Sequence, residues 1–495
     1  MESLFFAMRI ITLLFLLINS SVFANFQMNE NMQKTYIHII NLEFDKANEL
    51  LWTEQKDNPT NKIIILQENY IDFLTIIIGE DEAFFTAAKD KKSDRIDFLQ
   101  AGDDSSPYYL YAQAEVHLQW AFARLKFEEY LTAAYEIQKA YSLLEKNQEN
   151  FPDFKLNKKG LGFLHTLVGA IPNKYQWVLS LAGMEGSVAS GLGELKALLQ
   201  DEQMELYRNE ILFLTAFLQM NMTNEEVAYK QLLADIGDGY SDSYLLNFAA
   251  ARLTHALGKN DLTLNILENR PADQGKFSFY YLDYLQGMSL LYKLDFEKSK
   301  QYFNWFLKNF KGNNYIKSTY HKLALIAFLQ GETEKKLSYF EKVKSEGSAV
   351  IDEDKVALKD AKKQYTTHSR LLSTRLLYDG GYYQAALKEM QSIKALKEYS
   401  GFYDEYWYRL ARIQSKLDYD TNDIIAHYQK AFELGKASSN YFSPMSALQI
   451  AFVYEKKKEY TNAKIYFEKC LSLSHFDYER GIHQKAKLGL ARISD

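Results

Sequence analysis

The groups in this sequence that could do chemistry are nine histidines, one cysteine and 64 Asp and Glu side chains. None of them falls into a spacing that catalysis or metal binding requires. A zinc-binding helix needs two histidines four residues apart plus a further ligand, and no His-x3-His pair, HExxH or Cys–His set occurs. His117, His165 and His255 sit on helical faces as core or boundary residues. No serine stands in a Gly-x-Ser-x-Gly elbow. Cys470 lies on the apolar face of a predicted helix, where a free thiol is expected to be buried. Gly162 and Gly169 precede no Lys-Ser/Thr, so a phosphate-cradling loop is excluded. The reading is a non-enzymatic chain with no catalytic residue, no metal and no cofactor.

Binding chemistry is better represented. The chain holds 36 Tyr, 32 Phe and 5 Trp, rings that combine a large apolar body with, in Tyr and Trp, a polar tip. Repeat spacing, traced below, puts a subset of them on the inner face of successive first helices. These are Tyr281, Tyr284 and Met288, then His368, Leu371 and Arg375, then Tyr408 and Arg412, then Met445, Leu448 and Phe452. The set is aromatic and apolar with two arginines, suited to a protein or peptide partner whose apolar side chains become buried. Coverage of this face by the chain's own N-terminal half is the competing reading. The tyrosine content leaves a glycan or small ligand as the alternative class of ligand.

The elements that must position these residues are helices. Only six prolines occur, and each falls at an expected helix break. Ser106-Pro107 and Ser443-Pro444 read as N-cap followed by first helical residue. Helices are expected at 28–40, 43–56, 61–78 and 80–89, with a solvated break at Asp103–Ser106. Beyond it the sequence repeats itself. A bulky and a small residue recur on one helix, then a small, an aromatic and a small residue on the next. Ser446–Leu473 is the best copy, with Ile450, Ala451, Tyr454, Tyr460, Ala463, Phe467 and Cys470. Further copies centre on Gly287 to Phe306, Leu377 to Ile393, Trp407 to Ala431 and Trp120 to Ala140. Five copies in order predict an all-α tetratricopeptide-like array of helical hairpins, an α-solenoid.

Charge is dispersed, with a net value of −6, whereas nucleic-acid binders concentrate basic residues on one face. Nucleic acid is therefore excluded as a partner. Met8-Arg9, the apolar run Ile10–Leu17 and Val22-Phe-Ala24 have the order of a secretory signal peptide, with cleavage after Ala24. The expected organisation is a leader at 1–24, N-terminal helices at 25–105, repeats at 106–275 and C-terminal repeats with a capping helix at 276–495. An exported protein of the periplasm or the cell exterior follows.

One stretch stands apart. Gly160–Leu199 holds seven of the 23 glycines, and between Leu161 and Gly193 only Lys174 and Glu185 are charged. Small residues recur every four positions, at Ala182, Gly186 and Ser190 and at Gly183, Ser187 and Gly191. Such ridges let helices approach closely in water or in lipid. A buried helical hairpin is favoured over a membrane-inserted one, with peripheral membrane contact as the lesser possibility.

Gly160-Leu-Gly-Phe163, Ile171-Pro172-Asn-Lys174, Gly183-Met-Glu-Gly186 and Gly191-Leu192 together resemble the central segment of a known family. It is that of the yeast inclusion-body clearance protein and the animal tetratricopeptide-repeat thirty-nine proteins. Tyr441-Phe-Ser-Pro444, His475-Phe-Asp-Tyr478 and the helix Gly481–Ile493 resemble that family's C-terminus. The resemblance implies a scaffold with no known reaction, in an exported version here.

Overall fold

The computed structural model describes residues 25–171, 183–223, 225–364, 367–393 and 401–494. The leader at 1–24, the Pro172-Asn-Lys174 break and Ala182 lie outside the described residues. Among those described there are helices and no strand. Two compact units share the chain. One takes residues up to Ala256 with Asn265–Leu282 and Asn309–Gly312, the other Leu257–Leu264, Asp283–Lys308 and Asn313 onward.

The first unit contains α1 (Glu30–Ile40), α2 (Phe44–Asp57), α3 (Ile63–Gly79), α4 (Glu82–Ala88), α5 (Lys91–Gln100), α6 (Tyr108–Lys126) and α7 (Tyr130–Asn150). It continues with α8 (Asn157–Ala170), α9 (Val188–Leu199), α10 (Arg208–Met222), α11 (Glu226–Ile236) and α12 (Tyr244–Ala256). The helix α5 departs from the expected set. Its sequence KKSDRIDFLQ is mostly charged, and only Arg95, Ile96 and Leu99 are buried, too few to mark an apolar period.

After α13 (Asn260–Glu268) come α14 (Tyr281–Tyr292), α15 (Phe296–Asn309), α16 (Ile316–Leu329), α17 (Thr333–Ser345), α18 (Asp352–Lys362) and α19 (Ser369–Asp379). The chain closes with α20 (Tyr383–Gln391), α21 (Tyr403–Lys416), α22 (Thr421–Leu434), α23 (Phe442–Lys456), α24 (Tyr460–Leu471) and α25 (Glu479–Ser494). The helix α23 starts one residue before the expected cap. Ser443 is already inside it, and its hydroxyl donates to the Phe432 carbonyl (2.7 Å). Pro444 is tolerated there because first-turn N–H groups have no helical partner to lose. At α6 Pro107 itself takes the cap position, while Ser106 Oγ accepts from the Tyr108 N–H (3.3 Å).

One turn joins the two helices of hairpin after hairpin. Leu42, Glu128, Leu294, Gly331, Gly381, Asp418 and Lys458 all have positive φ, between 52° and 82°. In each case the next residue donates its N–H to the carbonyl five positions back, as in Glu43 to His38 (2.8 Å), Glu332 to Ala327 (2.8 Å) and Glu459 to Tyr454 (2.9 Å). That is a Schellman closure, which satisfies helix-end carbonyls with backbone alone. It also sets a register. Seven residues before the turn stand Thr35, Ala121, Gly287, Ala324, Thr374, Ala411 and Ala451, all buried. Five residues after it stand Ala47, Ala133, Ser299, Ala386 and Ala463, each 0 % exposed. Small side chains at these two places let the paired helices close. In α17 half-buried Lys336 takes the second of these places, and in α22 the pattern runs one residue later, through Ile424, Tyr428 and Ala431. Cys470 is buried in the last hairpin's core, and burial pushes its thiol up to about 12.

The glycine-rich stretch is a packing element in the first unit. A Cβ on Gly191 of α9 would fall 2.3 Å from the Gly162 carbonyl oxygen of α8. One on Gly186 would fall 2.6 Å from the His165 Cα, and one on Gly169 would fall 2.4 Å from the Ser187 Cα. The four-residue ridges do not run along one helix, however. Gly183 has φ of +70° and α9 begins only at Val188, capped by Ser187 Oγ accepting from Ser190 N–H. Among the described residues no helix is long and apolar enough to cross a membrane.

Lys159 ties the start of α8 into the unit. Its ammonium is 2 % exposed and donates to Tyr70 Oη (2.7 Å), Glu115 Oε2 (3.2 Å) and Glu210 Oε2 (2.9 Å). Tyr36 and Tyr70 donate their hydroxyls to the same carboxylates. Desolvation opposes the charge on Lys159, but the two carboxylates outweigh it and hold its pKa above the ordinary value.

Candidate functional site

The repeated turn decides which residues are equivalent from hairpin to hairpin in the second unit. Six residues before the left-handed residue stand Met288, Arg375, Arg412 and Phe452. Four earlier stand Tyr284, Leu371, Tyr408 and Leu448. These are the positions the repeat spacing singled out, so the register itself is legible in the sequence. Equivalent register does not mean equivalent exposure.

Tyr281, Tyr284 and Met288 are all buried. Arg252 Nη1 donates to Tyr281 Oη (3.1 Å), and the Phe248 ring packs at a tilt against that of Tyr281. Tyr284 Oη shares a hydrogen bond with Ser318 Oγ (2.9 Å), and its ring packs on Phe303, Phe306 and Tyr315. Leu371 is core. The His368 ring accepts from Arg370 N–H as the cap of α19. Arg375 is partly buried, and its field reaches His321, Lys322 and Tyr478.

Tyr408, Arg412, Met445, Leu448 and Phe452 come together. With Tyr378 of α19, Ser415, Lys416, Tyr428, Gln449 and Lys485 they line a cavity of about 420 Å³, within the size range of ligand sites. Its floor is the last hairpins' core, where Tyr408 packs on Tyr428 (centroids 6.2 Å), Tyr441 and Phe442. The Arg412 guanidinium lies 4.1 Å from the Tyr378 ring centroid and 5.6 Å from that of Tyr408. Burial works against its charge, yet Tyr408, Tyr378 and the more distant Asp379 outweigh burial and raise its pKa above the ordinary arginine value. Burial raises the Tyr408 and Tyr428 phenols as well, so both keep their protons at neutral pH.

Tyr378 and Lys416 were within reach of sequence reasoning. They lie three and four residues beyond Arg375 and Arg412, on the same helical faces. Tyr428 sits on a second helix and Lys485 on the terminal helix, which is outside the repeat register. Among the described residues no group of three or more His, Cys, Asp or Glu could hold a metal ion.

No family model matches this chain, and no curated protein does. Solved structures share a general likeness. The C-terminal part of a TPR repeat-containing protein from Cytophaga hutchinsonii is 16 % identical, with 56 % of this chain and 99 % of that one covered and a TM-score of 0.23. Yeast Tom70 is 13 % identical over 93 % of this chain and 96 % of its own, at 0.23. IFIT1, in a structure with Gppp-AAAA, is 14 % identical over 80 % and 96 %, at 0.29. At these values they assign neither a family nor a ligand, and the fold rests on the helices and turns described above.

Proposed function

We propose that this protein is a non-enzymatic interaction scaffold that binds a segment of a partner protein in the groove of its C-terminal hairpins. The observation that carries the reading is the convergence of Tyr408, Arg412, Met445, Leu448 and Phe452, equivalent positions of consecutive hairpins, on one cavity. Buried aromatic anchors around an arginine are the composition of an interaction hot spot. A photo-crosslinking residue placed at Lys485, which is exposed and lines the cavity, should give a discrete protein adduct in the native host. The same residue at Lys464, exposed on α24, serves as the control. No adduct from position 485, or the same adducts from both, removes the proposal.

Three finer points belong to the same proposal. The order of residues 1–24 supports export to the cell envelope, and a mature chain beginning at Asn25 in the periplasmic or secreted fraction is the result expected. A cytosolic chain that keeps the leader removes it. Membership of the inclusion-body clearance family is supported by the quoted glycines, two of which, Gly186 and Gly191, pack directly on α8. It is tested by whether other members place glycine at these contacts. Three tyrosines around one cavity support a glycan or other small ligand as the second reading, and a glycan array without hits removes that.

A further inference from the structure

Arg412 is a cation that the protein's carboxylates answer only through the field of Asp379, without an ion pair. Among the described residues no carboxylate stands within ion-pairing distance of it, and no acceptor takes its side-chain N–H groups. The contacts it does make are with the faces of Tyr378 and Tyr408. Contacts of this kind engage a guanidinium through its face and leave its N–H groups for an acceptor. Two further cations, Lys416 and Lys485, line the same cavity. Both are exposed, and neither is paired with a carboxylate. No Asp or Glu lines the cavity at all, in a chain whose net charge is −6. Tyr378, Tyr408, Tyr428 and the Gln449 amide add neutral polar groups to the lining, while the Ser415 hydroxyl is spent on the Arg412 carbonyl (2.8 Å). Beside them lies an apolar wall of Met445, Leu448 and Phe452.

We infer that the cavity receives an acidic side chain, Asp or Glu, from the bound protein segment, its carboxylate meeting Arg412 and its apolar neighbour resting on Met445 and Phe452. The inference rests on the groove reading above and adds the residue type that enters. Charge complementarity selects the occupant. A planar carboxylate matches the fork of a stacked guanidinium with two parallel hydrogen bonds. An amide or apolar side chain in its place would leave a desolvated cation unpaired. The apolar wall beside the cation favours an acid carried on a chain with apolar neighbours over a free, fully hydrated anion.

The test is selection from a randomised peptide library displayed on phage, with the full-length protein as bait. Enriched peptides should hold Asp or Glu at a fixed offset from an apolar residue, and changing that acid to its amide should weaken binding about tenfold. Arg412→Met should bring the acid and amide peptides within about twofold of each other while apolar preference remains. Because Arg412 also packs on Tyr378 and Tyr408, the double variant Lys416→Glu/Lys485→Glu provides a second measurement at exposed positions. It should weaken the acidic peptide and leave the amide peptide unchanged. Enriched peptides without acids, or an acid preference that survives Arg412→Met, overturn this inference and leave the groove reading standing. No enrichment at all overturns both. Arg412-dependent binding of acetate or inorganic phosphate as tight as the peptide identifies a small-anion site and overturns it too.

Discussion

Lys159 Nζ lies 2.9 Å from Glu210 Oε2, and the same ammonium reaches Glu115 Oε2 at 3.2 Å, so one buried cation serves two carboxylates. Tyr36 and Tyr70 supply the hydrogen bonds that the single lysine cannot. Among the described residues Glu115 Oε1 finds no hydrogen-bond partner. The cluster holds the opening residues of the glycine-rich hairpin against α3, α6 and α10, joining a sequence peculiarity to the core of the first unit.

Removing the cation should therefore cost far more than removing the cluster. Lys159→Met leaves two carboxylates buried together, and a loss of about 3–5 kcal/mol is expected. Lys159→Met combined with Glu115→Gln and Glu210→Gln should recover most of it. Urea unfolding of both variants measures the difference. A single substitution that costs less than about 1 kcal/mol would show the ion pairs to be dispensable.

Gly191→Ala tests the close helix approach. The added Cβ would meet the Gly162 carbonyl at 2.3 Å, and backbone cannot yield as a side chain can. The loss should be about 1–3 kcal/mol or more. Gly193, on the same helix with nothing within 4 Å of its Cβ position, is the control. Its alanine variant should gain stability, because alanine is the better helix former by roughly 1 kcal/mol. Thermal melts that rank the two in the opposite order would contradict the described packing.

Lys458 is exposed and has φ of 62° in the last repeat's turn. A lysine there carries a Cβ penalty that glycine does not. Lys458→Gly should raise stability by about 1 kcal/mol. Lys458→Val should lower it, since branching at Cβ worsens the same clash. Chemical denaturation of the pair reads the sign directly.

His321 predicts a pH dependence. It is 2 % exposed, and burial lowers its pKa from 6.5 to about 4, although Asp360 Oδ2 lies 3.2 Å from its Nε2. The unfolded chain then binds a proton that the native one refuses, so stability falls as pH drops from about 6.5 to 4. Asp354 works the other way. Burial raises it to about 6, so its native form holds a proton that the unfolded form gives up between about 4 and 6. His321→Phe should flatten the acid limb of a stability-versus-pH curve by on the order of 2 kcal/mol, and an unchanged limb would exclude His321 as its source.

Much of the architecture was readable because helical pairing is written in local periodicity. Ala121, Ala411, Ala451, Ala386 and Ala463 announce the close faces, and each is buried where paired helices meet. The cavity was not readable. Tyr284 and Tyr408 occupy the same repeat position and are equally buried among aromatic rings, yet Tyr408 also lines a cavity. What separates them is the neighbours that tertiary packing supplies. Lys485 shows the same limit. Its helix follows the last repeat, and no spacing rule could bring it beside Arg412. The polar core around Lys159 draws Tyr36, Tyr70, Glu115 and Glu210 from four helices, so it leaves no local signature at all.

The recurring turn has one more consequence. Its closure is made by backbone groups, and Leu, Glu, Gly, Asp and Lys all serve at its left-handed residue. The hinge of each hairpin therefore accepts several residue types, at differences of about 1 kcal/mol between them. Mutation can rewrite the joints and the inner-face positions of such an array one hairpin at a time while the angle between paired helices is kept. Ancestry in a chain of this kind fades from the sequence sooner than from the path of its backbone, and new surfaces can be tried without first inventing a new fold.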